Sequence, residues 1–158
     1  MWLPEGQVMD LILWRHAEAE DGVPDAARKL TRTGLKQAKS MAEWLKSELP
    51  EDVRVIVSPT KRTQQTATAF ASDFETNEEI APGASAHTVL AVTDWPNAQG
   101  TVLLVGHQPT LGETAGLLIP NIPAGLSFKK GAVWWFSCEV KQDIVKPVLR
   151  TVMYPDML

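Results

Sequence analysis

Leu11-Ile12-Leu13-Trp14-Arg15-His16-Ala17-Glu18 is an apolar run of strand length that stops abruptly at an Arg-His pair. From about Met9 to Trp14 the run is apolar on both faces, the signature of a central strand in a parallel sheet rather than a half-solvated one. In open α/β sheets, ligands bind in the crevice outside the carboxyl ends of the strands. Arg15 and His16 fall at that position. An arginine offers a planar fork of donors matched to phosphate oxygens, and a histidine offers a neutral nucleophile near pH 7.

Outward from this strand the chain alternates between sheet and helix. Residues 17–30 are polar, with Asp21-Gly22 and Pro24 as turn formers, and predict a loop over the crevice mouth. Thr31 is a candidate N-cap for a helix on which Leu35, Ala38, Met41, Ala42, Leu45 and Leu49 recur at helical spacing until Pro50. Val53 to Val57 reads as a second strand, closed by Ser58-Pro59. Pro59 fits the first turn of a helix running through Arg62 to about Phe74.

A short strand is expected near Glu78 to Ile80, and behind Ser85 a helix from about Ala86 to Trp95. Next come an apolar strand over Thr101 to Val105 and a helix over Pro109 to Leu118. Gly131 to Val140 and Ile144 to Met153 read as antiparallel neighbours at one side of the sheet, joined near Gln142-Asp143. Strands alternating with helices predict a three-layer αβα domain with a mostly parallel central sheet. A single domain is expected over residues 9–158. Residues 1–8, aperiodic and holding Pro4 and Gly6, are expected to form a flexible extension.

Composition narrows the classes. With 44% hydrophobic and 22% charged residues among 158, the chain has the make-up of an ordinary globular domain. A net charge of −4 supplies no basic field for nucleic acid or an anionic membrane. No apolar segment approaches the roughly 18 residues that a spanning helix needs. Met1-Trp2-Leu3-Pro4-Glu5 lacks the basic and apolar regions of a signal peptide, so a cytoplasmic protein is expected. The single cysteine, Cys138, rules out an internal disulfide, and its apolar surroundings predict a buried thiol.

Three strand ends now carry chemistry: Arg15-His16, Ser58-Pro59 with Arg62 one helical turn on, and His107 after the 101–105 strand. All lie at carboxyl ends and can face one crevice. Two guanidiniums and two imidazoles make a poor metal site, because guanidiniums are not ligands and repel a divalent ion. They make a good oxyanion site. Paired arginine forks hold phosphoryl oxygens through charge-assisted bonds and stabilise the charge that builds on them in the transition state. The amino end of the helix carrying Arg62 can add its dipole. One histidine can then attack in line while the other donates to the phosphoryl oxygens. Neighbouring positive charge is expected to keep the imidazoles neutral. Histidines and arginines that merely end strands at the surface remain the alternative.

The motifs weigh against that alternative. Arg15-His16-Ala17, Ser58-Pro59-Thr60-Lys61-Arg62-Thr63-Gln64-Gln65-Thr66 and Val105-Gly106-His107-Gln108-Pro109 stand in the order and spacing of the histidine phosphatase superfamily. Arg28-Lys29-Leu30-Thr31-Arg32-Thr33-Gly34 resembles the superfamily's lead into its first helix. The short length and the Arg-His-Ala-Glu-Ala-Glu opening are most similar to the small SixA-type phosphohistidine phosphatases, and the resemblance covers nearly the whole chain from Met9. It implies a phosphoglycerate-mutase-like fold and a phosphatase that works without metal or other cofactor. It also implies that His16 becomes a phosphohistidine, that Arg15 and Arg62 bind the phosphoryl group, and that His107 completes the pocket.

Two replacements are mild: Ala17 stands for the commoner Gly, and Lys29 for the usual Pro. A third is consequential. Relatives that act on alkyl esters place an acid in the region of residues 76–83 to protonate the leaving alkoxide, and here Pro82 falls at that position. Glu78 and Glu79 remain candidates for a displaced acid. An imidazole leaving group, with a conjugate-acid pKa of about 6.5, departs without a dedicated acid. The expected substrate is therefore phosphohistidine on a protein, such as a phosphotransfer domain. A small phosphorylated metabolite is the alternative within the superfamily, and a phosphohistidine- or phosphate-sensing module with negligible turnover is the alternative outside catalysis. Neither nucleic acid nor membrane is an expected partner.

Four further features read as structure. His87 reads as a surface or capping residue, and Glu18 and Glu20 as a solvated loop. Trp134-Trp135-Phe136 reads as core. Ser58 lacks the Gly-x-Ser-x-Gly elbow of a serine hydrolase.

Overall fold

The computed structural model describes residues 6–119, 121 and 126–158. Six strands form one mixed sheet: β1 (Gly6–Arg15), β2 (Arg54–Val57), β3 (Glu75–Thr76), β4 (Gly100–Gly106), β5 (Val133–Lys141) and β6 (Ile144–Met153). Their order is β3-β2-β4-β1-β5-β6. The β3/β2, β2/β4 and β4/β1 pairs are parallel, whereas β1/β5 and β5/β6 are antiparallel. Helices α1 (Arg32–Glu48), α2 (Lys61–Thr68), α3 (Ala86–Val92) and α4 (Thr110–Leu118) cover the sheet.

Successive side chains of the buried strands feed opposite faces, and this divides the core in two. Leu11, Leu13, Ile56 and Leu104 pack with Val89 of α3 and Leu111 and Leu118 of α4. Ile12, Trp14, Val57 and Leu103 pack with Met41 and Leu45 of α1 and Ala67 of α2. The three-layer αβα architecture follows from that split. Cys138 is buried in the first cluster.

Several boundaries differ from those expected. Strand β1 starts at Gly6, because Gly6 and Gln7 pair with Val140 and Glu139, so only residues 1–5 of the expected extension lie outside the described residues. Helix α2 begins after Pro59, where the Thr60 side chain accepts from the Thr63 N–H, and it closes at Thr68 rather than near Phe74. The short strand is Glu75–Thr76. Glu78 to Ile80 form a 3₁₀ turn capped by Asn77. Helix α3 ends at Val92, three residues short of Trp95, at a chain reversal in which Asp94 takes a positive φ. On α1, Leu35 is 51% exposed and Gly34 is buried in its place. A Cβ at Gly34 would lie 1.9 Å from the Glu18 carbonyl oxygen, so close backbone contact, not Leu35, sets the helix's rotation.

Candidate active site

The hydrogen bonds at the sheet's edge align the strand ends. The His16 N–H donates to the Gly106 carbonyl (3.1 Å), and the Ser58 N–H donates to the Val105 carbonyl (3.1 Å). His16, Ser58 and His107 are thereby brought side by side. The His16 and His107 rings lie 5.4 Å apart at 55°. Both are buried, as is Arg62 on the first turn of α2. All four expected site residues therefore meet in one place.

Each ring has one nitrogen committed. A carbonyl oxygen can only accept, so the 2.7 Å contact between His16 Nδ1 and the Ala17 carbonyl requires a proton on Nδ1. The lone pair of the neutral ring is then on Nε2. For His107, Nε2 lies 2.6 Å from the hydroxyl of the fully buried Ser58. Ser58 Oγ has no other acceptor among the described residues, so its O–H donates to Nε2 and the ring proton sits on Nδ1.

Burial is the leading reason that both rings stay neutral, ahead of the neighbouring charges. His16 is pushed down to about 4 by burial and then by Arg62, Arg15 and Arg28, against the raising effect of its bond to Ala17. His107 is pushed down to about 3 by burial, then by His16, Arg62 and Arg15, while the Asp25 carboxylate opposes them. Burial and Arg62 also lower Arg15. The sequence pointed to neighbouring charge as the cause; burial outweighs it.

Each guanidinium is pinned from outside. Arg15 donates an outer N–H to the Phe128 carbonyl (2.7 Å). Arg62 donates one to the Asp25 carbonyl (2.9 Å) and another to the Asp25 carboxylate (3.0 Å). Three inner donors are left buried without a partner among the described residues: Arg15 Nε, Arg62 Nε and His107 Nδ1. Buried N–H groups are rarely unpaired, and three on the residues around one neutral imidazole form a receptacle for anionic oxygens.

Asp25, Ser58 and Thr66 are the members the sequence did not assign to this site. Thr66 Oγ1 accepts from the Ala17 N–H (3.1 Å) and donates to the Arg62 carbonyl (2.8 Å), tying α2 to the chain beyond His16. The one hint of Asp25 was an acid three residues before Arg28 in a loop over a basic crevice. Arg28 and Arg62, through their hydrogen bonds, hold its carboxyl below the usual carboxylate range. Glu78 and Glu79 are exposed, and neither is among the charges that shift either imidazole. His87 is exposed on α3, whose cap is Ser85. Among the described residues, no three His, Cys, Asp or Glu side chains gather as a metal ion requires. No helix among them is long and apolar enough to cross a membrane.

Known proteins resemble this chain in sequence and in fold. The sequence model of the histidine phosphatase superfamily (branch 1) matches residues 11–84, which include Arg15, His16 and Arg62. Phosphohistidine phosphatase SixA of Escherichia coli K12 is 31% identical over 122 residues, spanning 72% of this chain and 76% of that protein. The SixA homolog of Haemophilus influenzae is 37% identical over 121 residues, spanning 66% and 74%. The solved structure of the protein histidine phosphatase SixA complexed with tungstate superposes with a TM-score of 0.75 at 28% identity, covering 94% of this chain and 99% of that one. A phosphoserine phosphatase from Entamoeba histolytica, at 18% identity and a TM-score of 0.68, shares the fold.

Proposed function

The chain belongs to the histidine phosphatase superfamily, and from that premise we propose that it is a phosphatase acting on phosphohistidine carried by a protein, through a phosphorylated His16. The observation that carries the proposal is the neutral, buried His16, with Nδ1–H committed to Ala17 and Nε2 free, among three unpaired N–H donors. Nε2 attacks phosphorus as the bond from phosphorus to the substrate's imidazole nitrogen breaks. That imidazole, protonated on its distal nitrogen, departs as a neutral ring. Arg15, Arg62 and His107 donate to the phosphoryl oxygens throughout.

His16 itself follows the same rule in the second half. Its Nδ1–H is retained, so the phosphorylated ring is an imidazolium. When water attacks phosphorus, the bond to Nε2 breaks, neutral His16 returns, and water's proton passes to phosphate or solvent. Neither step calls on a carboxylic acid or a metal. An alkyl ester would need such an acid, and Asp25, the carboxylate nearest in effect to His107, is kept ionised by Arg28 and Arg62. That supports a phosphoramidate over an alkyl ester as substrate.

The test is turnover in EDTA of a phosphohistidine-bearing protein beside an alkyl ester, β-glycerophosphate, with His16→Ala as control. Turnover of the phosphoprotein that vanishes in the variant, with slow ester hydrolysis, is expected. Ester turnover that matches or exceeds it overturns the substrate assignment. Phosphate binding with turnover of neither favours a sensing module.

A further inference from the structure

A cleft of about 460 Å³ opens beside the phosphate receptacle, between residues 127–130, Gln37 of α1 and the C-terminal turn at Tyr154 to Asp156. Arg15 lines both it and the receptacle, since the side chain that bonds the Phe128 carbonyl forms part of the cleft wall. The same segment touches the candidate nucleophile's own backbone: the Gly131 N–H donates to the His16 carbonyl at 3.0 Å. The cleft therefore adjoins the receptacle and shares Arg15 with it.

Its charge runs against that of the molecule. The chain carries −4 overall, yet the cleft presents Arg15, Lys129 and Lys130 against the single carboxylate of Asp156. Lys129 and Lys130 are exposed, and among the described residues no ion pair or side-chain hydrogen bond holds either ammonium group. Pockets for small molecules fix their ligand with a few immobile, partly buried polar groups. Here the charge beyond Arg15 is borne on flexible ammonium groups at the rim. That arrangement suits attraction of an extended anionic surface more than selection of a metabolite.

Resting on the phosphohistidine reading, we propose that this cleft binds an acidic stretch of polypeptide flanking the phosphohistidine of the protein substrate. Lys129 and Lys130 are the specificity-determining residues. They take no part in the phosphoryl chemistry, so they act on KM and leave the chemical step unchanged.

The experiment compares three probes: phosphoramidate, and two phosphohistidine peptides of equal length, one flanked by Glu and Asp, the other by Gln and Asn. Each is assayed with the wild-type chain and with Lys129→Glu/Lys130→Glu. Rim charges act mainly on encounter, so the acidic peptide should have a KM roughly tenfold below that of the neutral one, an advantage that fades with salt. The double variant should lose that advantage, with phosphoramidate turnover unchanged. Wild-type protein that turns over phosphoramidate but ignores peptide charge overturns the cleft proposal and leaves the phosphohistidine reading standing. An advantage that survives the double variant, or a loss of phosphoramidate turnover in a folded double variant, overturns it too. Wild-type protein that turns over none of the three overturns the reading beneath it as well.

Discussion

Two loops hold the two guanidiniums of the site, and they do it by different means. The loop after β1 reaches Arg62 through Asp25, a residue whose side chain is 58% exposed. The segment before β5 reaches Arg15 through the carbonyl of Phe128, whose ring is fully buried and stacked 4.7 Å from Trp134. Their anchorage is otherwise alike. Each passes so near a helix that a Cβ at the facing glycine would lie 1.9 Å from a loop carbonyl oxygen: Gly34 against Glu18, Gly112 against Leu126. The position of Arg15 is therefore set by packing and that of Arg62 by charge. Under the proposed function, one phosphate oxyanion would be met by a fixed donor and by one that responds to solution conditions.

Stability should show this contrast most strongly. Phe128→Ala removes a buried stacked ring and is expected to cost about 3–5 kcal/mol in urea unfolding. Asp25→Asn, at an exposed pair, should cost less than about 1 kcal/mol. Near-equal losses would break the comparison. Activity should rank next. Arg15→Ala and Arg62→Ala each remove inner donors and are expected to lower kcat/KM by about 10²–10³. A much smaller loss from either would show that its unpaired Nε is idle.

Asp25→Asn separates the loops on the activity side. Loss of one charge-assisted bond to Arg62 should lower kcat/KM roughly tenfold, about 1.5 kcal/mol, and flatten its dependence on ionic strength. An unchanged salt profile would place Arg62, like Arg15, under the control of packing. A pH effect, separate from both loops, concerns the imidazoles between them. As pH falls from 6.5 towards 4, the unfolded chain protonates His16 and His107 while the folded chain does not. Their contribution to stability is present above pH 6.5 and is lost on acidification, roughly 3 kcal/mol for each ring, so Tm should drop by about 10–20 °C over that window. A His16→Ala/His107→Ala variant should drop less.

These contrasts mark how far the sequence could be read. Arg15, His16 and His107 were legible because an apolar strand ending in a polar residue leaves that residue at the crevice, whatever the loops do, and Arg62 because it opens the helix that follows such a strand. The pins were not. Asp25 lies 37 residues from Arg62, and Phe128 lies 113 from Arg15. No local spacing rule spans such distances. Leu35 misled for a related reason: its periodicity fits the buried face, but the close approach of Glu18 to Gly34 turns that face aside. Ser58 was set aside for lacking a hydrolase elbow, and its contact with His107 depends on the register of β2 against β4, which fixes the two strand ends level.

The bond from His16 Nδ1 to the Ala17 carbonyl has a consequence for isomerism. A histidine can carry phosphorus on either ring nitrogen, giving two species with distinct ³¹P resonances and distinct antibodies. With Nδ1 engaged, a phosphoryl group on this chain is confined to the τ isomer, on Nε2. Trapping the phosphorylated chain and asking which isomer forms would read whether that one hydrogen bond is kept in solution.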